Sequence, residues 1–246
     1  MKINEGLLYG YGLFETIKVI NNKPIYLLEH FDRMKNSSKE LDINLYIDFE
    51  EFQEKIRKEI NKFPNENFAL RVSILKDNNT SSMIFSIREI NYTQKMYEDG
   101  FKLTFSDILR NETSKIVYHK TLNYLENLRE LKRVKENGYN EVIFLNTKGQ
   151  IGECSTSNIF VVKNKKIYTP KLESGILNGI IRQKIIDSLK KLGVEVYAEN
   201  MDKEFLLTGD EIFITNSLMG IMPISKINNL NYKMQFTNEL KKTLTF

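Results

Sequence analysis

Val117-Tyr118-His119-Lys120-Thr121-Leu122 stands at the junction that organises this chain. Behind it lies a polar stretch, 106–115, which reads as a linker. Ahead of it runs an amphipathic segment, 122–136, predicted helical, with Leu125, Leu128, Leu131 and Val134 on one side. Gly138 is placed to end that helix. The reading is a smaller N-terminal domain, 1–109, and a larger C-terminal domain, 110–246.

Moving outward toward the N-terminus, 12–20 alternates as a strand does, and Asn21-Asn22-Lys23 forms a turn. Residues 27–41 are predicted helical. Asp48 can cap a second helix, with Glu51 three positions on and Phe52, Ile56, Ile60 and Phe63 as its buried stripe. Strands are expected near 68–75, 82–89 and 101–105. Toward the C-terminus, 141–146 and 157–168 read as strands around a turn at Thr147-Lys148-Gly149. A helix over 180–192 carries Ile181, Ile185, Leu189 and Leu192 and stops at Gly193; strands at 194–198 and 211–215 and a last amphipathic helix follow. Strands and helices mixed in both halves imply a two-domain α/β or α+β protein.

The 246 residues suffice for two compact domains. The net charge of +4 is scattered, with Lys and Glu interleaved over 51–62, so no basic face for nucleic acid is expected. No apolar run approaches the roughly 18 residues of a membrane helix, and 1–10 is charged, without the apolar core of a signal peptide. One cysteine, Cys154, allows no intrachain disulfide, in agreement with a cytoplasmic protein. His30 and His119 with one distant cysteine make a poor metal set, so no metal is expected.

Four features could carry chemistry. Lys120 is either an ordinary surface lysine or a desolvated amine able to attack a carbonyl. Asn178-Gly179-Ile180-Ile181 is either a plain loop-to-helix junction or a helix start whose free N–H groups suit a phosphate. Glu153, between two apolar strands and close to Asn158, would want a partner such as a protonated ring nitrogen or an arginine. Arg33, on the first long helix, is either solvated or a bidentate phosphate ligand.

Taken together and in order, six segments resemble the fold-type IV pyridoxal-phosphate enzymes. They are Gly10-Tyr11-Gly12-Leu13-Phe14-Glu15-Thr16, Glu29-His30-Phe31-Asp32-Arg33, His119-Lys120-Thr121-Leu122-Asn123-Tyr124-Leu125, and the stretches 152–160, 175–182 and 211–223. The resemblance implies a small N-terminal α/β domain, a larger C-terminal pseudo-barrel domain and a homodimer. It implies pyridoxal 5'-phosphate joined to Lys120, with its phosphate held by Arg33, by the backbone of Ile180 and Ile181, and by Asn216 and Ser217. Leu177 would pack on the ring and Glu153 would pair with the ring nitrogen. Tyr124 is a candidate for the cofactor's phenolic oxygen.

Within that family the D-amino acid aminotransferases carry an Arg-x-His pair, and the branched-chain aminotransferases a Tyr-x-Arg element, in the region matching 71–80; neither is present. The wording around Phe14-Glu15-Thr16, at 119–125 and at 215–223 is more similar to the 4-amino-4-deoxychorismate lyases. That likeness implies a small-molecule substrate, with Lys120 as base and Thr16 as a proton relay. Arg71 and Lys76 are candidates for a substrate carboxylate. An aminotransferase acting on D-amino or branched-chain amino acids is the alternative.

Overall fold

The computed structural model describes residues 3–244. Its contacts divide it into two units, but not at 109/110. The first unit runs to Asn91 and takes back His119–Tyr124; the second holds Tyr92–Tyr118 and everything from Leu125. The reason is strand pairing. Residues 101–105 lie ahead of the polar stretch, yet they are hydrogen-bonded between two strands of the second unit.

In the first unit the elements are α1 (Glu5–Tyr9), β1 (Gly12–Ile20), β2 (Lys23–Pro24), α2 (Leu27–Glu40), α3 (Phe49–Ile60), β3 (Phe68–Asp77) and β4 (Thr80–Arg88). The strands form an antiparallel sheet in the order β2-β1-β3-β4. Side chains alternate across a strand, so Leu13, Ile17 and Val19 share one face. Opposite them stand Ile74, Leu70 and Phe68. This face and the inner sides of α2 and α3 make one core with Phe31, Met34, Phe52 and Ile56. Asp48 caps α3, its side chain accepting the Glu51 N–H at 2.8 Å. The other face of the sheet carries Phe14, Thr16 and Lys18, with Arg71 opposite Thr16.

The second unit contains α4 (Gln94–Asp99), β5 (Phe101–Phe105), a 3-10 turn (Lys115–Tyr118), α5 (Leu125–Glu136), β6 (Glu141–Leu145), β7 (Ile151–Cys154), β8 (Asn158–Lys163) and β9 (Lys166–Pro170). After these come α6 (Ile180–Lys191), β10 (Val196–Glu199), α7 (Lys203–Leu207), β11 (Glu211–Asn216), β12 (Gly220–Ile227), β13 (Leu230–Asn231) and α8 (Gln235–Thr243). The sheet order is β10-β9-β8-β11-β12-β5-β6-β7, with β13 beside β12. The core of this unit gathers Leu103, Ile143, Ile159, Val161, Ile212, Ile214 and Met222.

Three expectations change. The stretch 157–168 is two strands, not one, because Asn164 and Lys165 both take positive φ (51° and 62°) and turn the chain. The helix expected over 122–136 begins at Leu125. Its leucine stripe is not the buried side: Leu125 and Leu128 are 70% and 54% exposed, while Asn127, Glu130 and Val134 face inward. Polar partners decide this. Asn127 Nδ2 donates to the Ser155 carbonyl at 2.6 Å, and Glu130 accepts from Ser106 Oγ at 2.7 Å.

Candidate active site

Residues 119–124 rejoin the first unit through main-chain bonds to the start of β1. Phe14 N–H donates to the Lys120 carbonyl at 2.8 Å, and Leu122 N–H donates to the Gly12 carbonyl at 2.9 Å. Gly12 admits no side chain here, since an added Cβ would lie 2.3 Å from the Ile74 carbonyl oxygen. The segment therefore pairs antiparallel alongside the start of β1, Thr121 opposite Leu13, and directs Lys120 onto two rings. Its Nζ is 4.3 Å from the centroid of Phe14 and 5.4 Å from that of Tyr124. Those rings meet edge to face at 5.2 Å. The Arg71 guanidinium sits 3.7 Å over the same Phe14 ring. Lys120 is half-buried, so its amine is neither a bulk-solvated charge nor a core one. Lys76 lies 4.2 Å over Tyr11.

On the opposite face of the sheet Glu15 occupies an apolar position and is buried. Two residues of α2 make this tolerable. Arg33 donates from Nε at 2.7 Å and from Nη2 at 2.6 Å, and His30 Nδ1 lies 2.6 Å away. Burial works to raise the Glu15 carboxyl; the adjoining guanidinium and imidazole outweigh it and leave the group at about 2. Burial also pushes the His30 imidazole down, so a neutral ring donating Nδ1–H fits best. The sequence reading assigned Arg33 to a phosphate and overlooked Glu15. The available signal was a lone carboxylate in the apolar register Leu13, Ile17, Val19.

In the second unit Glu153, on β7, is the centre of a hydrogen-bonded group. Its Oε2 accepts from Asn158 Nδ2 at 3.2 Å and from Leu177 N–H at 3.1 Å. Asn158 Nδ2 also donates to the Leu177 carbonyl at 2.8 Å, so Leu177 and Glu153 are held in a common arrangement. Arg110 Nη2 stands 3.9 Å from Glu153 Oε1. The loop 155–157 is wound around buried Glu141, which accepts from the hydroxyls and N–H groups of Ser155 and Thr156.

Gly179 is the N-cap of α6, and no side chain caps that helix. The first N–H groups, including those of Ile180 and Ile181, are thus left for another acceptor. A Cβ on Gly179 would fall 1.9 Å from Asn158 Oδ1. At the end of β11, Asn216 Oδ1 accepts the N–H groups of Leu218 and Met219 at 3.0 and 2.9 Å, closing the turn to β12, and Ser217 is half-buried within it. Next to them the Thr215 hydroxyl is buried and has no hydrogen-bond partner. Of the residues singled out in the sequence, Lys120 and Thr16 share one face of the first sheet. Glu153, Leu177 and the start of α6 are tied together in the second unit.

The comparisons with known proteins place the chain in a family of enzymes. The chain matches the amino-transferase class IV family model over residues 12–227, and it belongs to that family. It is 29% identical to the aminodeoxychorismate lyase of Bacillus subtilis (strain 168), covering 94% of this chain and 83% of that one. It is 28% identical to a D-alanine aminotransferase of Listeria monocytogenes, covering 92% and 82%. A solved structure of a candidate 4-amino-4-deoxychorismate lyase from Legionella pneumophila superposes with a TM-score of 0.93 at 25% identity, covering 99% of this chain and 93% of that one. The fold is that of the fold-type IV enzymes, which depend on pyridoxal 5'-phosphate.

The residues present suit that cofactor. Uncapped N–H groups at α6 and the orphaned Thr215 hydroxyl offer donors to a phosphate. Glu153 offers a buried carboxylate to a ring N–H. Among the described residues, no group of His, Cys, Asp and Glu is arranged to hold a metal ion, and no helix is long and apolar enough to cross a membrane.

Proposed function

We propose that this protein is a pyridoxal-phosphate-dependent 4-amino-4-deoxychorismate lyase, releasing pyruvate to leave 4-aminobenzoate, a folate precursor. The observation that carries the reading is the face of the first sheet. It sets the Lys120 amine on Phe14 and presents Thr16 from the same side of β1.

Lys120 would hold the cofactor covalently, with Arg33, the N–H groups of Ile180 and Ile181, Asn216 and Ser217 on its phosphate. Leu177 would bear on the ring, and Glu153 would receive the ring N–H. When bound, the cofactor supplies an electron sink for the carbon that carries the substrate amine. Lys120, as base, would remove the proton from that carbon. The neighbouring carbon–oxygen bond breaks, and Thr16 relays a proton to the departing enolpyruvyl group. Phe14 and Tyr124 lie against the lysine amine and would hold it in place. Arg71, on the same Phe14 ring, is a cation suited to a substrate carboxylate. We further expect a homodimer working in the cytoplasm.

The protein is incubated with 4-amino-4-deoxychorismate and no 2-oxo acid. Pyruvate and 4-aminobenzoate should appear in equal amounts, and Lys120→Ala should lose both this activity and the visible absorbance of lysine-bound cofactor. Amino transfer to 2-oxoglutarate with no pyruvate would overturn the lyase in favour of an aminotransferase.

A further inference from the structure

We propose that Arg110 is a positioning residue for Glu153: its buried guanidinium holds that carboxylate anionic and so sets how strongly it can grip a protonated ring nitrogen. The proposal rests on the reading that Glu153 meets that nitrogen, and extends it to a residue outside the cofactor's own contacts.

A carboxylate removed from water tends to take up a proton, and a neutral acid is a poor acceptor for a cationic N–H. Glu153 and Arg110 have side chains only 12% and 10% exposed, so charge acts between them with little screening. Asn158 Nδ2 and the Leu177 N–H both donate to Glu153 Oε2. Arg110 approaches the other oxygen, Oε1, at 3.9 Å, a charge contact longer than a hydrogen bond.

The guanidinium is fixed from behind. It lies 4.4 Å over the Phe144 ring, and Nη1 donates to Asn127 Oδ1 at 3.2 Å. The Arg110 main chain is tied down too, its N–H donating to the Leu145 carbonyl at 2.8 Å. Yet Nε and Nη2 are buried without a hydrogen-bond partner. An arginine that merely cemented the fold would place such donors on carbonyls. Here Nη2 is held beside a carboxylate and neither nitrogen is hydrogen-bonded to another acceptor. This also explains why α5 turns Asn127 inward rather than its leucines: the asparagine anchors the guanidinium. Other ionisable groups that couple to Glu153 include Arg182 on α6 and Cys154, next along the strand.

The test follows the Glu153 carboxyl by carbon-13 NMR in cofactor-free protein labelled at glutamate, the resonance being assigned by its loss in Glu153→Gln. Arg110→Gln keeps a donor for Asn127 but no charge. It should raise the pH at which Glu153 takes up its proton by a unit or more, about tenfold in proton affinity. Arg110→Lys should stay close to wild type, and Asn127→Ala, which loosens the guanidinium and also removes the bond to the Ser155 carbonyl, should give a smaller rise and covers the case that Arg110→Gln does not fold. In equilibrium dialysis Arg110→Gln should weaken pyridoxal phosphate at least tenfold in the wild-type background and less than twofold in Glu153→Gln. An unmoved midpoint, or equal weakening in both backgrounds, overturns the proposal. If Glu153→Gln alone leaves cofactor affinity and spectrum unchanged, the ring-nitrogen reading falls, while the titration still decides whether Arg110 governs the carboxylate.

Discussion

Lys120 lies against two aromatic rings, where Lys76 and Lys241, for example, each lie over one. Thr16 points from the same face of β1, one side-chain period beyond Phe14. If it relays the proton, Thr16→Val, nearly the same shape without the hydroxyl, should lower kcat for pyruvate release about 10²-fold. Cofactor affinity should stay within a factor of two; an unchanged kcat removes the role. On the other face Glu15 makes a statement about acid stability. Its folded value of about 2 lies below the ordinary 4.5, so the stability it contributes is fully present above pH 4.5 and is lost as pH falls toward 2. That difference is worth on the order of 3 kcal/mol. Urea unfolding midpoints should fall steeply over that window in wild type and much less in Glu15→Gln, which should also be the less stable protein at pH 7. Parallel curves would show that Arg33 and His30 do not hold the carboxylate charged.

At the scale of the element, α6 is the clearest case of a helix start built for something other than itself. Gly179 has an ordinary φ of −69°, so alanine is allowed there by the backbone and excluded only by Asn158 Oδ1 at 1.9 Å. Gly179→Ala should displace Asn158, break its bonds to Glu153 and to the Leu177 carbonyl, and cost about 1–3 kcal/mol. Cofactor binding measured by dialysis should weaken with it; wild-type affinity would show that the close approach is incidental. This helix was readable from its apolar spacing and from Gly193, because its buried side is made of isoleucines and a leucine. Helix α5 was legible as a helix but not in its orientation, because Leu125 and Leu128 face outward and the inward side is set by Asn127 and Glu130, whose partners lie far away in sequence. Strands β1, β3 and β4 were legible from alternation. The β8–β9 hairpin was hidden because Asn164-Lys165 is a weak turn signal beside Asn-Gly, and β7 because four buried residues show no alternation.

For the whole molecule, the lesson is that a linker in composition need not be a boundary in space. The chain leaves the first unit at Asn91, returns for His119–Tyr124 and leaves again, so Lys120 belongs to one unit and Glu153 to the other. No periodicity in the sequence announces that return; two main-chain hydrogen bonds to Gly12 and Phe14 create it. The second unit carries its own reporter. Cys154 adjoins Glu153, is buried, and has its thiol pushed well up, first by burial and then by the Glu141 and Glu153 charges. A thiol reagent needs the thiolate and a path to it, and both require β7 to leave the sheet. Labelling of native protein by a disulfide reagent at pH 8 should therefore run at least 10²-fold slower than in urea, at a rate set by opening of this unit. Pyridoxal phosphate, if held through Glu153, binds only the closed form and should slow labelling further in proportion to its saturation. Labelling that is fast in native buffer would mean that β7 is not a stable member of the sheet, and the carboxylate it carries would then have no fixed place from which to act.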